Sequence, residues 1–362
     1  MTDNSSSAPG GPVRAGRTTL IEAPDDFDAV NELYRERRWG DGLPVVPPTV
    51  ERVERMLRHT LRAREEIVAT VAPGFGAATV ERIAINAVLA GCPPGCLPLL
   101  IAATEAITAS QFNLQGIQAT TNPAAVWLIV NGPIARRLAF NSGINCLGQG
   151  AWANATLGRA LRLILQNVGG ALPGEMDRAT QGQPGKYSFC CAENEAENPW
   201  EPLHVERGFP PQASTVTVVG ASGTLNMNTH AKDAGDLLRV IADSMAHAPS
   251  NDYWIGGEPW IVLSPEHAQI LKRDGLSKTE VKRRLWEDSK MAARRMAAKD
   301  FMRTQNARRA ELGEIGPETL LPISTRSEEI GIIVAGGPGT HSVYVPSFGN
   351  TRSVTREAAC VA

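Results

Sequence analysis

Hydrophobic positions along the chain follow two spacings. Phe27, Val30, Leu33 and Tyr34 recur at helical intervals between residues 25 and 38. Thr49 precedes a second helical stretch over 50–63, where it suits an N-cap. Further helices are expected over 79–90 with Thr79 as cap, over 98–110 with Pro98 in the first turn, and over 154–168. In the last of these Leu157, Leu161, Ile164, Leu165 and Val168 form an apolar face, and Gly169-Gly170 ends it. Short continuous apolar runs mark buried strands at 67–71, 125–130, 215–219, 260–263 and 330–334. Loops rich in Gly, Pro, Asn or Ser follow the last four, and helices are expected over 233–246 and after Ser264. Strands alternating with helices predict an α/β fold with one central mixed or largely parallel sheet flanked by helices. Residues 276–312 read as a long, locally basic helical region, solvated or packed on another subunit.

The chain divides into a tail over 1–20 rich in Ser, Gly and Pro, an N-terminal α/β region over 21–210 and a C-terminal α/β region over 211–362, the two packed as one compact unit. Its 362 residues are 43% hydrophobic, which excludes a disordered chain. Lys and Arg number 36 against 38 Asp and Glu, and this balance argues against a nucleic-acid partner. The basic stretch near 276–312 holds only Trp286 and Phe301 as aromatic platforms. The best apolar stretch, residues 97–107, contains Pro98, Thr104 and Glu105 and falls short of the roughly 20 residues of a membrane span. With no apolar signal core near the N-terminus, the expected compartment is the cytoplasm, where the six cysteines are reduced thiols.

Ligands of open α/β sheets bind beyond the carboxyl ends of the strands. That rule selects Asn131-Gly132, the 220–231 loop with His230, Ser264 to His267, and Gly336 to Ser342 with His341. These loops are expected on one sheet edge. Their histidines suit proton transfer or a divalent metal, although no HExxH-type spacing is present. The run from Cys146 to Asn154 enters a helix through two glycines, so Asn154 and Arg159 are candidates to position an anionic group. A plain turn with Asn154 as cap is the alternative. Asp41, between Gly40 and Gly42 and ahead of three prolines, either reaches a cleft or caps a turn.

The densest polar cluster runs from Lys186 through Cys190, Cys191, Glu193 and Glu195 to His204. On a strand, Cys190 and Cys191 point to opposite faces, while Glu193 and Glu195 share one. Two close carboxylates in a partly dry cleft suit general acid–base work, and a thiol beside a histidine suits nucleophilic work. A surface acidic loop with two core cysteines is the alternative. Cys92 and Cys96 form half a metal site, a packing pair or a redox-sensitive dithiol.

Several stretches carry a resemblance: DGLPVVPPT at 41–49, AGC at 90–92, NGPIAR at 131–136, ANATLGRA at 153–160, PGKY at 184–187, PWEPLH at 199–204 and AGG at 335–337. Together they resemble a bacterial family associated with, or fused to, a small domain bearing a (seleno)Cys-Gly-Ser-Cys motif. The likeness spans most of residues 40–355. This chain lacks that motif, so the resemblance implies a separate thiol or selenoprotein partner, or replacement by Cys146, Cys190 and Cys191.

Taken together, the residues suggest a cytosolic enzyme of lyase or hydrolase type. It would act on a small polar or anionic molecule at a carbon–heteroatom bond, with a homo-oligomeric assembly and no membrane partner. Cys190 or Cys146 would be the thiolate and Glu193 or Glu195 the acid or base, with His204, His341 and Asp41 assisting. Asn131, Asn154, Arg159, Lys186, His230 and His267 would hold the substrate. A redox or metal-handling subunit that exchanges thiols or metal with a partner is the alternative.

Overall fold

The computed structural model describes residues 18–359. Most of the expected tail, residues 1–17, and Cys360 lie outside the described residues, while 18–20 are exposed coil. Twelve strands are present among the described residues: β1 (Ile67–Val71), β2 (Gly76–Thr79), β3 (Ala125–Asn131), β4 (Cys190–Ala192), β5 (Thr215–Ala221), β6 (Leu225–Asn228), β7 (Trp260–Leu263), β8 (Met291–Ala292), β9 (Leu320–Leu321), β10 (Gly331–Val334), β11 (His341–Val345) and β12 (Val354–Glu357).

A single central sheet does not form. The strands make two separate four-stranded mixed sheets, ordered β12-β5-β3-β4 and β10-β7-β11-β6, and two small ladders, β1-β2 and β8-β9. In the first sheet β3 and β4 are parallel, while β5 is antiparallel to both β3 and β12. In the second, β10 and β7 are parallel and β11 is antiparallel to β7 and β6. Periodicity cannot assign buried apolar runs to one sheet or two, because strands covered on both faces look alike in either case. The division at 210/211 does not separate the sheets either, since β5 and β12 lie beyond it and pair into the first.

Side-chain alternation along each strand explains the layering. Val126, Leu128 and Val130 of β3 pack with helices Val80–Ala90, Leu97–Ile107 and Trp152–Asn167. Ala125, Trp127 and Ile129, on the other face, pack with Trp260 and Val262 of β7, Ile333 of β10 and Val345 of β11. On the far side, Ile261, Leu263, Ile332, Val334 and Tyr344 meet helices Ala234–Met245, Pro265–Arg273 and Lys278–Asp288. The result is four layers: helices, sheet, sheet, helices. Trp127 stacks on Phe189 at 5.4 Å and meets Trp260 edge-on at 5.8 Å between the sheets. Each such aromatic pair contributes about 0.5–1.5 kcal/mol beyond area burial.

Helix boundaries follow their caps. Thr49, Thr79, Asp233 and Ser264 each accept a first-turn backbone N–H. The second helix stops at Leu57 rather than 63, and the 154–168 helix begins at Trp152 with no side-chain cap. The charged region near 276–312 is not continuous helix. Lys278–Asp288 and Ala298–Leu312 are separated by β8, which leaves the helical path to pair with β9.

Asp252 is a buried anchor under the second sheet. It has no solvent exposure and accepts from Tyr344 Oη (2.9 Å), Ser250 Oγ (3.0 Å), Ser347 N (3.2 Å) and Ser347 Oγ. Burial outweighs these bonds and pushes its pKa up to about 6. The unfolded carboxyl titrates near ~3.9, so between about pH 4 and 6 the folded state keeps a proton that the unfolded state releases. Stability therefore falls as pH rises through that window, by about 3 kcal/mol once both forms are ionised. Urea unfolding at pH 4 to 7 tests this: the difference between the wild type and Asp252→Asn should change over that window and level off above it.

Candidate functional site

The common carboxyl edge of β3, β4 and β10 gathers the polar residues. Because β3 and β4 are parallel, the chain leaves both at the same edge, carrying Asn131-Gly132 and Glu193-Asn194-Glu195. Asn194 N donates to Val334 O (2.8 Å) at the end of β10, which ties the two sheets together there. Gly336 N donates to Ser142 O (2.8 Å), bringing the 141–151 loop to the same edge. Gly132 has φ +82°, and a Cβ at this position would overlap the carbonyl oxygen of Ala213.

Asn131 lies between two carboxylates. Its Nδ2 donates to Glu193 Oε2 (2.7 Å) and to Glu195 Oε1 (3.0 Å), and Gly132 N also donates to Glu195 Oε1 (2.7 Å). Glu193 is 3% exposed and accepts further from Leu203 N (2.7 Å) and Asn198 Nδ2 (2.8 Å). Burial still raises its pKa; the nearby Lys278 charge and these donors oppose the rise. Glu195 is partly exposed, and among the described residues its Oε2 takes no hydrogen bond.

His204 lies beside this pair, 1% exposed. Its Nε2 is 3.3 Å from Pro211 O, an acceptor only, so Nε2 carries the proton. Nδ1 lies 3.8 Å from Glu195 Oε1 with no hydrogen-bond partner, and in the neutral ring it presents its lone pair. Two more buried atoms here have none: Asn131 Oδ1 and Thr215 Oγ1, on residues that face each other across the β3-β5 ladder. Asn131 and His204 both lie beside Glu195, and Thr215 faces Asn131, so three of the eight such atoms among the described residues belong to one neighbourhood. Buried polar atoms are rarely left unpaired, so this cluster, called the chamber below, is the candidate place for a polar guest.

Asn131, Glu193, Glu195 and His204 thus converge, and the other candidates sit elsewhere. Asp41 lines a cleft of about 300 Å³ with Tyr34, Arg38 and Gln166, and its carboxylate is held by Arg159 Nε (2.7 Å) and Nη2 (2.8 Å). Lys186 is bound to Asp177 (2.6 and 2.8 Å), which also pairs with Arg162. Asn154 pins the 141–151 loop through Asn141 and the Cys146 carbonyl instead of capping its helix. A larger cleft, about 770 Å³, opens between residues 18–54 and 81–89 and contains none of the expected site residues.

The histidine loops cluster on the second sheet's edge. His267 is buried, with Nδ1 2.8 Å from Ser342 Oγ and Nε2 3.2 Å from Thr229 O. Burial lowers its pKa, so it stays neutral. His341 is exposed and bonds Asn226 Oδ1 (3.1 Å), while His230 is exposed. Among the described residues no three His, Cys, Asp or Glu side chains come together as a metal cage.

Cys190 and Cys191 point to opposite faces, Cys190 into the helix-side core with Cys92 and Cys96, Cys191 into the inter-sheet layer with Cys146. Burial pushes the Cys190 thiol up. The neighbouring thiols of Cys146 and Cys191 interact, which lowers the Cys146 pKa and, with burial, raises that of Cys191. Asn198, Thr215 and Lys278 belong to the site and were not among the candidates. Asn198 lay inside the dense polar run, whereas Thr215 and Lys278 are brought in only by the pairing of β5 with β3 and by the packing of a distant helix.

Comparison with protein-family models, with curated proteins and with solved structures finds no match to this chain.

Gly132→Ala tests the local geometry. It should lose about 1–3 kcal/mol from the strained backbone alone and displace the N–H that holds Glu195. Urea unfolding with backbone amide chemical shifts at 131–133 and 193–195 checks both effects.

Proposed function

We propose that this chain is an enzyme acting on a small polar molecule by general acid–base chemistry at a carbon–heteroatom bond, of lyase or hydrolase type. The observation that carries this reading is the unpartnered Nδ1 of His204, 3.8 Å from Glu195 Oε1 in a chamber with two further unpartnered atoms. Glu195 and His204 form a proton-exchanging pair: a proton taken from the substrate by one is returned to the leaving heteroatom by the other. Asn131 and Gly132 orient Glu195, and Glu193 fixes Asn131. The sheet edge where they meet is the usual ligand position in α/β proteins.

A screen of small polar molecules for bond cleavage, followed by Glu195→Gln, tests this. Turnover should fall by about 100-fold or more, the scale of general acid–base help. Full turnover in Glu195→Gln overturns the assignment.

A second reading, a thiol-exchanging subunit served by a separate (seleno)cysteine protein, draws on the Cys146 pKa lowered by the neighbouring Cys191 thiol. All five described cysteines are buried. Under the acid–base reading, Cys146→Ser keeps its turnover within a few-fold and the described thiols react slowly in the native protein, as assayed with an aromatic disulfide reagent. Loss of turnover in Cys146→Ser alone, with rapid native reaction of that thiol, favours exchange.

A further inference from the structure

The unfilled valences of the chamber have one character. Asn131 Nδ2 has both of its protons committed to carboxylates, so only its Oδ1 faces an empty valence. With the proton on Nε2, the neutral His204 ring offers a lone pair at Nδ1. Glu195 Oε2 is a third acceptor, and Thr215 Oγ1 accepts or donates. A guest must therefore bring several N–H or O–H donors to a small volume.

Charge points the same way. Glu206 holds both the Lys278 and Lys282 ammonium groups, the first at 2.8 Å, and among the described residues no Lys or Arg pairs with Glu195. Glu197 and Glu201, both exposed, add to the negative field on the same loop. The cations suited to an anionic substrate, Arg159 and Lys186, are bound to Asp41 and Asp177.

We propose that this chamber binds a small ammonium group, either ammonium itself or the protonated primary amine of the substrate. The inference deepens the acid–base reading by naming the substrate class, and it rests on taking the chamber as the reacting site. A primary ammonium carries three N–H donors, which match Asn131 Oδ1, His204 Nδ1 and Glu195, and its charge answers the Glu195 carboxylate. An organic carboxylate or phosphate would meet acceptors and negative charge on every side.

The test uses the full-length protein, labelled with ¹⁵N in histidine rings and asparagine amides. It is titrated at constant ionic strength with ammonium chloride, methylammonium chloride and tetramethylammonium chloride, with sodium chloride as reference. The His204 and Asn131 resonances should shift saturably with ammonium and methylammonium only, and Glu195→Gln should weaken the response at least tenfold. Thr215→Val removes an unpartnered hydroxyl without breaking a hydrogen bond, so it serves if Glu195→Gln does not fold, and it too should weaken binding. Shifts no larger than those with sodium, or equal shifts with tetramethylammonium, which has no N–H donor, overturn the proposal. Turnover that depends on Glu195 without ammonium binding removes the substrate class and leaves the acid–base reading standing. Ammonium binding with full turnover in Glu195→Gln does the reverse.

Discussion

A strand with no solvent side organises this molecule. All seven residues of β3 are buried, and alternation sends Val126, Leu128 and Val130 one way and Trp127 and Ile129 the other. Each face needs its own apolar cover. Helix Leu97–Ile107, apolar nearly all round with ten of its residues buried, belongs to one cover. The second sheet is the other, with Trp260 set against Trp127. Truncating an aromatic of this kind costs about 3–5 kcal/mol, a large part of the net stability of a typical domain. The four-layer arrangement follows from covering both faces of this strand.

The same alternation creates the polar chamber. Asn131 is two residues beyond Ile129 and so must face the second sheet, opposite Thr215 of β5. Here the apolar layer ends and a carboxylate enters it. Burying an ion costs several kcal/mol, and each hydrogen bond to a charged group returns about 1.5–3. The three donors on Glu193 offset part of that cost, and the remainder shows as its raised pKa. Two of the donors around the carboxylates, Leu203 N and Gly132 N, are backbone groups, so the chamber is fixed by the fold more than by mobile side chains.

The apolar runs of β3, β5, β7 and β10 and the capped helices were legible in the sequence, because burial and capping leave local signatures. The opposite faces of Cys190 and Cys191 followed from strand geometry, and the carboxylates with His204 from density alone. Other features were not legible for a physical reason. The split into two sheets depends on antiparallel partners β6, β11 and β12, whose pairing is set by tertiary contacts far apart in sequence. Arg159, Lys186 and Asp41 looked like free functional charges because an ion pair across 118 residues, such as Asp41 with Arg159, leaves no pattern in the chain. Thr215 read as an ordinary strand residue until its neighbour across the ladder was known.

Two carboxylates two residues apart need not do the same work, and here their surroundings separate them. Glu193 has both oxygens bonded, by Asn131 and Leu203 on one and Asn198 on the other, and almost no exposed surface. To act on a substrate it would have to break donors that nothing else could satisfy. Glu195 has both its protein donors on a single oxygen, is partly exposed and sits beside the unpartnered Nδ1 of His204. The first carboxylate holds the Asn131 amide in place, and the held amide aims the second. Under the proposed acid–base reading, neutralising Glu193 would therefore act through the position of Glu195, whereas neutralising Glu195 would remove the proposed proton acceptor itself.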